Sequence, residues 1–194
     1  MILDEIPNSL GRTGTFFTFE QFGIVPDMVV IGKGLGGGVL PLAALLATEE
    51  LNEVCATKAL GHYTHEKNPV SCAAGLATID FIFEHDLMNN ASTLGEHCME
   101  RMRGMMERQP LIGDVRGIGL LMGIELVVDR GTKERAYDAA ERVMYSALER
   151  GLSFKLTMGN IITLCPPLTV TAEEMDMAFE VLEECIIEAS QPER

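Results

Sequence analysis

The stretch that decides the fold, residues 28–38, reads Met28-Val29-Val30-Ile31-Gly32-Lys33-Gly34-Leu35-Gly36-Gly37-Gly38. Its apolar half is rich in β-branched residues and closes on glycine, which predicts a strand buried on both faces. Lys33 then lies at the tip of that strand, where burial disfavours the ammonium form and makes the amine available as a nucleophile. The glycines beside it allow a ligand to approach the backbone closely.

A carboxylate follows the first apolar segment of the chain. Met1-Ile2-Leu3 predicts another buried strand, and Asp4 comes directly after it. A carboxylate at the end of one buried strand and a lysine at the end of another are the groups that a pyridoxal phosphate (PLP) site needs. In such a site Lys33 forms the Schiff base with the cofactor, and Asp4 keeps the pyridine nitrogen protonated so that the ring acts as an electron sink.

The glycines admit a competing interpretation, because Gly32, Gly34 and Gly37 also satisfy the G-x-G-x-x-G fingerprint of dinucleotide sites. That fingerprint must open directly into a helix. Here Val39-Leu40-Pro41 follows, which predicts extended chain. We therefore favour PLP over a nucleotide cofactor.

The sequence motifs around Asp4 and Lys33 resemble the signature of class III (omega-type) PLP-dependent aminotransferases. The resemblance covers essentially the whole chain, and its specificity comes from the order and spacing of several motifs. These motifs lie at residues 4–14, 19–27, 31–38, 64–69, 113–119 and 159–168.

The resemblance implies an α/β architecture, the aspartate-aminotransferase-like PLP fold (fold type I), as a partial large domain plus a small C-terminal α+β domain. Residues 1-85 are expected to be the C-terminal part of the PLP-binding large domain. Residues 86-108 are expected to form a connecting helix, and residues 109-194 the small domain. Because the chain opens one residue into a family strand, we expect it to be the C-terminal half of an enzyme.

The resemblance also assigns the site. Lys33 and Asp4 are the expected catalytic residues, and both also bind the cofactor. Thr64 is expected to donate its hydroxyl and backbone amide to the PLP phosphate, from the other subunit of a homodimer whose active site lies at the interface. The implied reaction moves an amino group from an amine or amino-acid donor to an oxo acid. No metal is expected, since His62, His65 and Glu66 do not form H-E-x-x-H.

Departures from the family pattern bear on the reaction. Thr163 stands where many members carry an arginine that binds a substrate carboxylate, Pro7 replaces a glutamine near the PLP ring, and His65-Glu66-Lys67 replaces an aromatic-glycine-glycine stretch. Arg12 and Arg116 are interpreted as loop-bracing residues. Two alternatives therefore stay open: a PLP-dependent ammonia- or phospho-lyase on the same scaffold, and an inactive truncated fragment.

The amino-acid composition limits the possible binding partners and the expected cellular location. The 194 residues carry a net charge of −14, which argues against nucleic acid and anionic membrane surfaces as partners. The five cysteines contain no CxxC pair, which is typical of reduced thiols and predicts a cytoplasmic protein. The longest apolar run, residues 39–47, is far shorter than the roughly 20 residues of a membrane span.

Local signals predict the main helices. Asn68-Pro69 is an N-cap followed by proline at the first helical position. A long helix from about Ala91 to Arg108 should bury Leu94, Cys98, Met102 and Met105. Glu134 to Arg150 should form another helix, with Leu148 among its inward residues, and Thr171-Ala172-Glu173-Glu174 is a capping box that opens the last one.

Overall fold

The computed structural model describes residues 1–58, 64 and 66–191, which divide into two compact units, Met1–Asn89 and Asn90–Arg194. The first unit contains β1 Ile2–Asp4, β2 Met28–Ile31, β3 Ala44–Ala47, α1 Glu49–Glu53, α2 Pro69–Glu84 and the start of α3 Leu87–Arg108. The second contains the rest of α3, β4 Ile112–Ile118, β5 Leu121–Asp129, β6 Glu134–Arg135, α4 Tyr137–Glu149, β7 Lys155–Thr157, β8 Ile161–Leu164 and α5 Ala172–Ala189. The assignment of residues 1-85, 86-108 and 109-194 to parts of a larger enzyme stays a prediction.

The first unit is built on a three-stranded sheet in the order β1-β2-β3, with β1 parallel and β3 antiparallel to β2. The prediction that β2 is buried on both faces is wrong: Val29 and Ile31 are buried, whereas Met28 and Val30 are half-buried. The prediction of a buried β1 is also wrong, because Ile2 is 65% exposed. Its apolar sequence fits a buried strand, but nothing within the described chain covers it.

Helix α2 begins as predicted, since the Asn68 side chain accepts hydrogen bonds from the amides of Val70 and Ser71. Its small residues allow it to pack closely against the segment that follows Lys33. A Cβ atom on Gly75 would lie 2.6 Å from Leu42 Cδ2 and 3.3 Å from the Leu35 carbonyl oxygen, so a larger residue there would force Leu42 to shift.

The second unit is an antiparallel sheet in the order β4-β5-β8-β7, with β6 paired to β5. Helices α3, α4 and α5 share one apolar core with this sheet. Its fully buried members include Cys98, Met102, Met105, Ile124, Leu126, Val143, Ile162, Phe179, Leu182 and Ile186. The predicted buried face of α3 is confirmed.

Sequence reasoning misplaced parts of this unit. Helix α4 begins at Tyr137 rather than Glu134, because Glu134–Arg135 pairs with β5 as a short strand. Leu148 was expected to face inward, but its side chain is exposed. The capping box is confirmed: the Glu174 amide donates to Thr171 Oγ1 at 3.2 Å, and the Thr171 amide donates to Glu174 Oε2 at 2.9 Å.

Candidate functional site

Lys33 lies on a turn rather than at a buried strand tip. The chain leaves the sheet at Ile31, passes Gly32 and forms a single 3₁₀ turn over Lys33–Gly36. Lys33 has φ +46°, a left-handed conformation that is uncommon outside glycine and often found at functional sites. Its side chain is exposed, which corrects the predicted burial of the amine. The strand ends two residues before the lysine, so the turn carries the amine away from the packed sheet.

Asp4 lies at the same edge of the sheet. It ends β1 opposite Val30, and because the two strands are parallel, their carboxyl ends meet at one edge. Lys33 follows Val30 by three residues. The Asp4 side chain is exposed, and its Oδ1 accepts a hydrogen bond from the Ile6 amide at 3.0 Å. No ion pair joins Asp4 to Lys33 within the described residues, so neither charge neutralises the other.

Glu5 is a structural anchor that sequence reasoning missed. It is only 2% exposed, and its two carboxylate oxygens accept hydrogen bonds from the amides of Thr18 and Phe19 at 2.8 and 2.7 Å. These amides open the 3₁₀ turn Thr18–Phe22, where a carboxylate is favoured by unpaired N–H groups. The Glu5 amide donates to the Val30 carbonyl at 2.9 Å, so Glu5 ties this turn to β2 directly beside Asp4. The acidic pair Asp4-Glu5 at the end of β1 was the available signal.

Thr64 lies in an exposed turn, where its hydroxyl is accessible. The predictions that concern His62 and His65 lie outside the described residues. Glu66 and Lys67 form an exposed ion pair at 3.6 Å, and Lys67 has φ +58°. The assignment of Thr64 to the cofactor phosphate stays a prediction.

The remaining substrate-related residues lie on the sheet of the second unit. Thr163 Oγ1 is 2.7 Å from Thr157 Oγ1, close enough for a hydrogen bond between the hydroxyls. Arg116 was expected to brace a loop, but it lies on β4, where Nη1 donates to Asp114 Oδ2 at 2.5 Å and to Glu125 Oε2 at 2.8 Å. The hydrogen bonds to Glu125 and Asp114 raise the pKa of Arg116 above its ordinary value.

The family profile described as "Aminotransferase class-III" matches residues 1–186. This chain belongs to the class III aminotransferases. The family predicted from the motifs is therefore confirmed, and with it the fold class, since class III enzymes have the PLP fold of type I. Enzymes of this family are PLP-dependent.

Curated relatives of this class III chain are named for several reactions. An (R)-1-hydroxy-2-aminoethylphosphonate ammonia-lyase from Vibrio splendidus (strain 12B01) is 47% identical over 186 residues, covering 96% of this chain and 39% of the relative. A leucine/methionine racemase from Thermococcus litoralis is 43% identical, covering 98% and 43%. Relatives at 35 and 36% identity are named 5-aminovalerate and ornithine aminotransferases.

Solved structures agree on the fold. An amine transaminase from an uncultivated Pseudomonas species, solved in a PLP-bound form, superposes with a TM-score of 0.92 at 30% identity, covering 97% of this chain and 44% of that one. The chain thus spans about two fifths of the length of the relatives it matches.

The residues at the sheet edge fit PLP. Asp4 has a carboxylate oxygen, Oδ2, without a hydrogen-bond partner in the described chain, and a pyridinium N–H needs such an acceptor. Lys33 is accessible and flanked by glycines, which leave room beside the amine.

Within the described residues, no helix is long and apolar enough to cross a membrane, and no three or more His, Cys, Asp or Glu side chains cluster as a metal site would require. All five cysteines are free thiols.

Proposed function

We propose that this class III chain supplies the cofactor lysine and the pyridinium-binding aspartate of a PLP-dependent aminotransferase. The observation that carries the proposal is that Lys33 and Asp4 lie at one edge of the sheet, within the family's motifs. In the described residues they form no ion pair with each other. When bound, the cofactor supplies an electron sink that acidifies the C–H bond next to a substrate amino group.

The chain's own residues then have separate tasks. The Lys33 amine would hold the cofactor, and in its free form it would accept the proton of the amino-bearing carbon and return it. Asp4 Oδ2 would accept a hydrogen bond from the protonated pyridine nitrogen. Glu5, buried and bonded to Thr18 and Phe19, fixes the backbone that presents Asp4. Thr64, from a second copy of the chain in a homodimer, would donate to the phosphate.

Transamination requires an amine donor and an oxo-acid acceptor. Elimination is the second candidate, giving an ammonia-lyase, and it is favoured by two specific observations. The relative at 47% identity is named as an ammonia-lyase. Thr163 also replaces the arginine that the family resemblance assigns to a substrate carboxylate, and a threonine cannot form the planar two-bond clamp that a guanidinium offers. Both reactions begin with the same proton transfer at Lys33.

One pair of measurements tests the proposal on the natural gene product that contains this sequence. PLP titration followed by visible absorption should give a bound-cofactor band in the wild type and in Lys58→Ala, a matched exposed lysine. The band should be missing in Lys33→Ala. An unchanged band in Lys33→Ala would contradict the cofactor assignment.

The second measurement separates the two reactions. An aminotransferase should release no more than one equivalent of oxo product per bound cofactor unless an oxo acid is added, because continued turnover needs an acceptor for the amino group. Release of ammonia without any oxo acid would support elimination instead of transamination. The proposed roles of Lys33 and Asp4 would be unaffected by that result. We also propose a cytoplasmic location, in keeping with the five free thiols.

A further inference from the structure

A cavity lies in the second unit, between helix α4 and the hairpin that β7 and β8 form. Its volume is about 620 Å³, within the range of pockets that hold small organic ligands. Strand β7 is the last strand of the described sheet, so the helix and this strand bound the space on two sides. All of the described residues that line the cavity belong to the second unit, so Lys33 and Asp4 are not among them.

Most of the cavity wall is apolar. Met144 of α4, together with Phe154 and Leu156, lines it, and all three side chains are half-buried. Phe154 and Leu156 also pack against the core of the second unit, and these contacts hold them in place. Met144 has a flexible, polarisable side chain that adapts to the shape of its neighbours. These walls suit the aliphatic or aromatic part of a ligand.

Tyr137, the first residue of α4, forms a wall whose ring is held at two points. A Cβ atom at Gly159 would lie 2.8 Å from Tyr137 Cδ1 and 2.9 Å from Cε1, so the ring packs directly on the backbone of the hairpin turn. At the other end of the ring, Arg135 Nη1 donates to the Tyr137 hydroxyl at 3.2 Å. Tyr137 is still 51% exposed, so part of its fixed ring remains available for contact with a ligand.

Two carboxylates lie beside this ring. Asp138 and Glu141 both line the cavity, and they are three positions apart on α4, a spacing that makes them neighbours on the helix surface. Neither side chain takes part in a hydrogen bond or an ion pair within the described residues. Neighbouring like charges repel each other, and a cation bound next to both of them would relieve that repulsion.

The charge of the lining favours a cationic ligand. Lys155 is the one lysine or arginine among the described residues that line the cavity, so the two carboxylates leave a formal charge of −1. The whole chain carries a net charge of −14, which also attracts cations. Carboxylates next to the face of an aromatic ring attract an organic ammonium group in two ways, by ion pairing and by the cation–π interaction.

We propose that this cavity, named here the Tyr137–Glu141 cavity, binds a small organic ammonium ion with an apolar body. The charged group would lie beside the Tyr137 ring, next to Asp138 and Glu141, and the apolar body would lie against Met144 and Phe154. The proposal goes beyond the proposed function, since the cavity requires neither Lys33 nor the cofactor. Binding there makes and breaks no covalent bond.

The test uses benzyltrimethylammonium as the probe, on the natural gene product that contains this sequence. This quaternary ion has no N–H bond, so it cannot form a Schiff base with PLP. The methionine methyl groups of the protein are labelled with ¹³C and the probe is titrated in. The Met144 resonance, assigned with Met144→Leu, should shift and saturate at millimolar probe, because the aromatic ring of the probe would lie against it. The resonance of Met177, exposed on α5, should not move.

Variants test each part of the cavity. Asp138→Asn combined with Glu141→Gln should weaken binding about three- to tenfold, the scale of exposed ion pairs. Glu173→Gln combined with Glu180→Gln removes the same charge from exposed positions of α5 outside the cavity, and it should bind like the wild type. Tyr137→Leu should weaken binding about two- to fivefold, as expected for a lost cation–π contact at an exposed site. Tyr137→Phe keeps the ring and should bind like the wild type.

The outcomes decide between a cation site and a merely apolar cavity. Benzyl alcohol has the same ring without the charge, and it should bind at least about threefold more weakly than the cation. Equal binding of the two probes, equal weakening in the two double variants, or no shift of Met144 in the wild type would overturn the proposal. Circular dichroism spectra matching the wild type establish that each variant is folded. Lys33→Ala should still bind the probe, so failure of the cofactor assignment and failure of this site are separate results.

Discussion

The two units of this chain use apolar residues in opposite ways. In the second unit, the main buried cluster draws on three helices and the sheet, and all its members lie between Ala91 and Ala189. Among the described residues of the first unit, the buried apolar side chains are few: Leu10, Val29, Ile31, Leu35, Ile82 and Leu87. Many large apolar side chains there are exposed instead, such as Ile2, Phe22, Val25 and Leu76. The unit that carries Lys33 and Asp4 is therefore the less self-contained one.

This difference indicates that stability depends mainly on the second unit and that the candidate site depends on the first. The second unit gathers most of the buried apolar side chains of the described residues into one cluster, which is the main source of stability in a fold. The first unit instead positions polar groups at a sheet edge, held by specific contacts such as those of Glu5 with Thr18 and Phe19. Residues that matter for folding and residues that matter for the reaction should therefore be separable by mutation.

The largest effect on stability is expected at the centre of the second unit. Phe179 on α5 is fully buried, and Phe179→Ala should lower the free energy of unfolding by about 3–5 kcal/mol through lost burial and a residual cavity. Urea unfolding followed by circular dichroism measures this. Phe22→Ala, at an exposed position of the first unit, is the control and should change it little. Equal losses in the two variants would remove the contrast between the units.

The next effect concerns chemistry rather than stability. Asp4→Asn should leave PLP bound but lower kcat by roughly 10²–10³-fold, about 2.7–4 kcal/mol, as expected when a preorganised electrostatic partner is lost. Because Asp4 is exposed and makes a single local hydrogen bond, the urea unfolding midpoint of the Asp4→Asn variant should equal that of the wild type. Steady-state kinetics and cofactor absorption check both parts. Near-normal turnover in the Asn variant would remove Asp4 from the mechanism.

Exposed apolar residues of the first unit should also drive self-association of the 194-residue chain. β1 is an edge strand of the described sheet, and such edges pair with other chains. Ile2→Lys should weaken self-association about tenfold, the scale of one apolar side chain withdrawn from an interface. Sedimentation velocity over a range of concentrations tests this, with Met177→Lys on α5 as the matched control. A monomeric wild type would refute the idea that the first unit needs a covering surface.

The smallest effect is a pH dependence within the second unit. Glu183 accepts hydrogen bonds from Arg108 Nε and Nη2, both at 2.9 Å, and this contact lowers the pKa of Glu183 below its ordinary value of 4.5. A lowered pKa in the folded state means that the contribution is present above 4.5 and is lost as the pH falls through the folded value. Surface ion pairs contribute little, so the change should be small.

A pH series of urea unfolding measures this contribution. Glu183→Gln should flatten the fall in stability on the acidic side of pH 4.5, relative to the wild type. Glu180→Gln, an exposed acid on the same helix, is the control. A wild-type slope retained in Glu183→Gln would show that this ion pair does not set the acid response.

The sequence predicted the features that depend on local signals. The caps at Asn68 and Thr171 and the buried face of α3 follow from residues within a few positions of one another, and all are present. Strands β4 and β7 were missed because their stability comes from pairing with distant strands. β4 also contains Gly113 and Gly117, which are poor strand formers. Both lie close to β5: a Cβ atom would lie 2.6 Å from the Val127 side chain at Gly113 and 2.9 Å from the Leu121 carbonyl oxygen at Gly117.

In the candidate site too, features set by local sequence were predicted, and features set by distant contacts were not. The motifs predicted Lys33 and Asp4 as a pair, and the parallel register of β1 and β2 brings the ends of the two strands to one edge of the sheet. The burial of Lys33 was predicted wrongly, because burial depends on what packs over a turn and not on the apolar run before it. The anchoring role of Glu5 was missed because its partners, Thr18 and Phe19, lie more than ten residues away.

Covalent mapping of the cofactor tests the central claim most directly. The natural gene product that contains this sequence is incubated with PLP, reduced with borohydride, digested and analysed by mass spectrometry. The account predicts a pyridoxyl adduct on Lys33, with none on Lys58 or Lys67. An adduct on either of those lysines in place of Lys33 would contradict it.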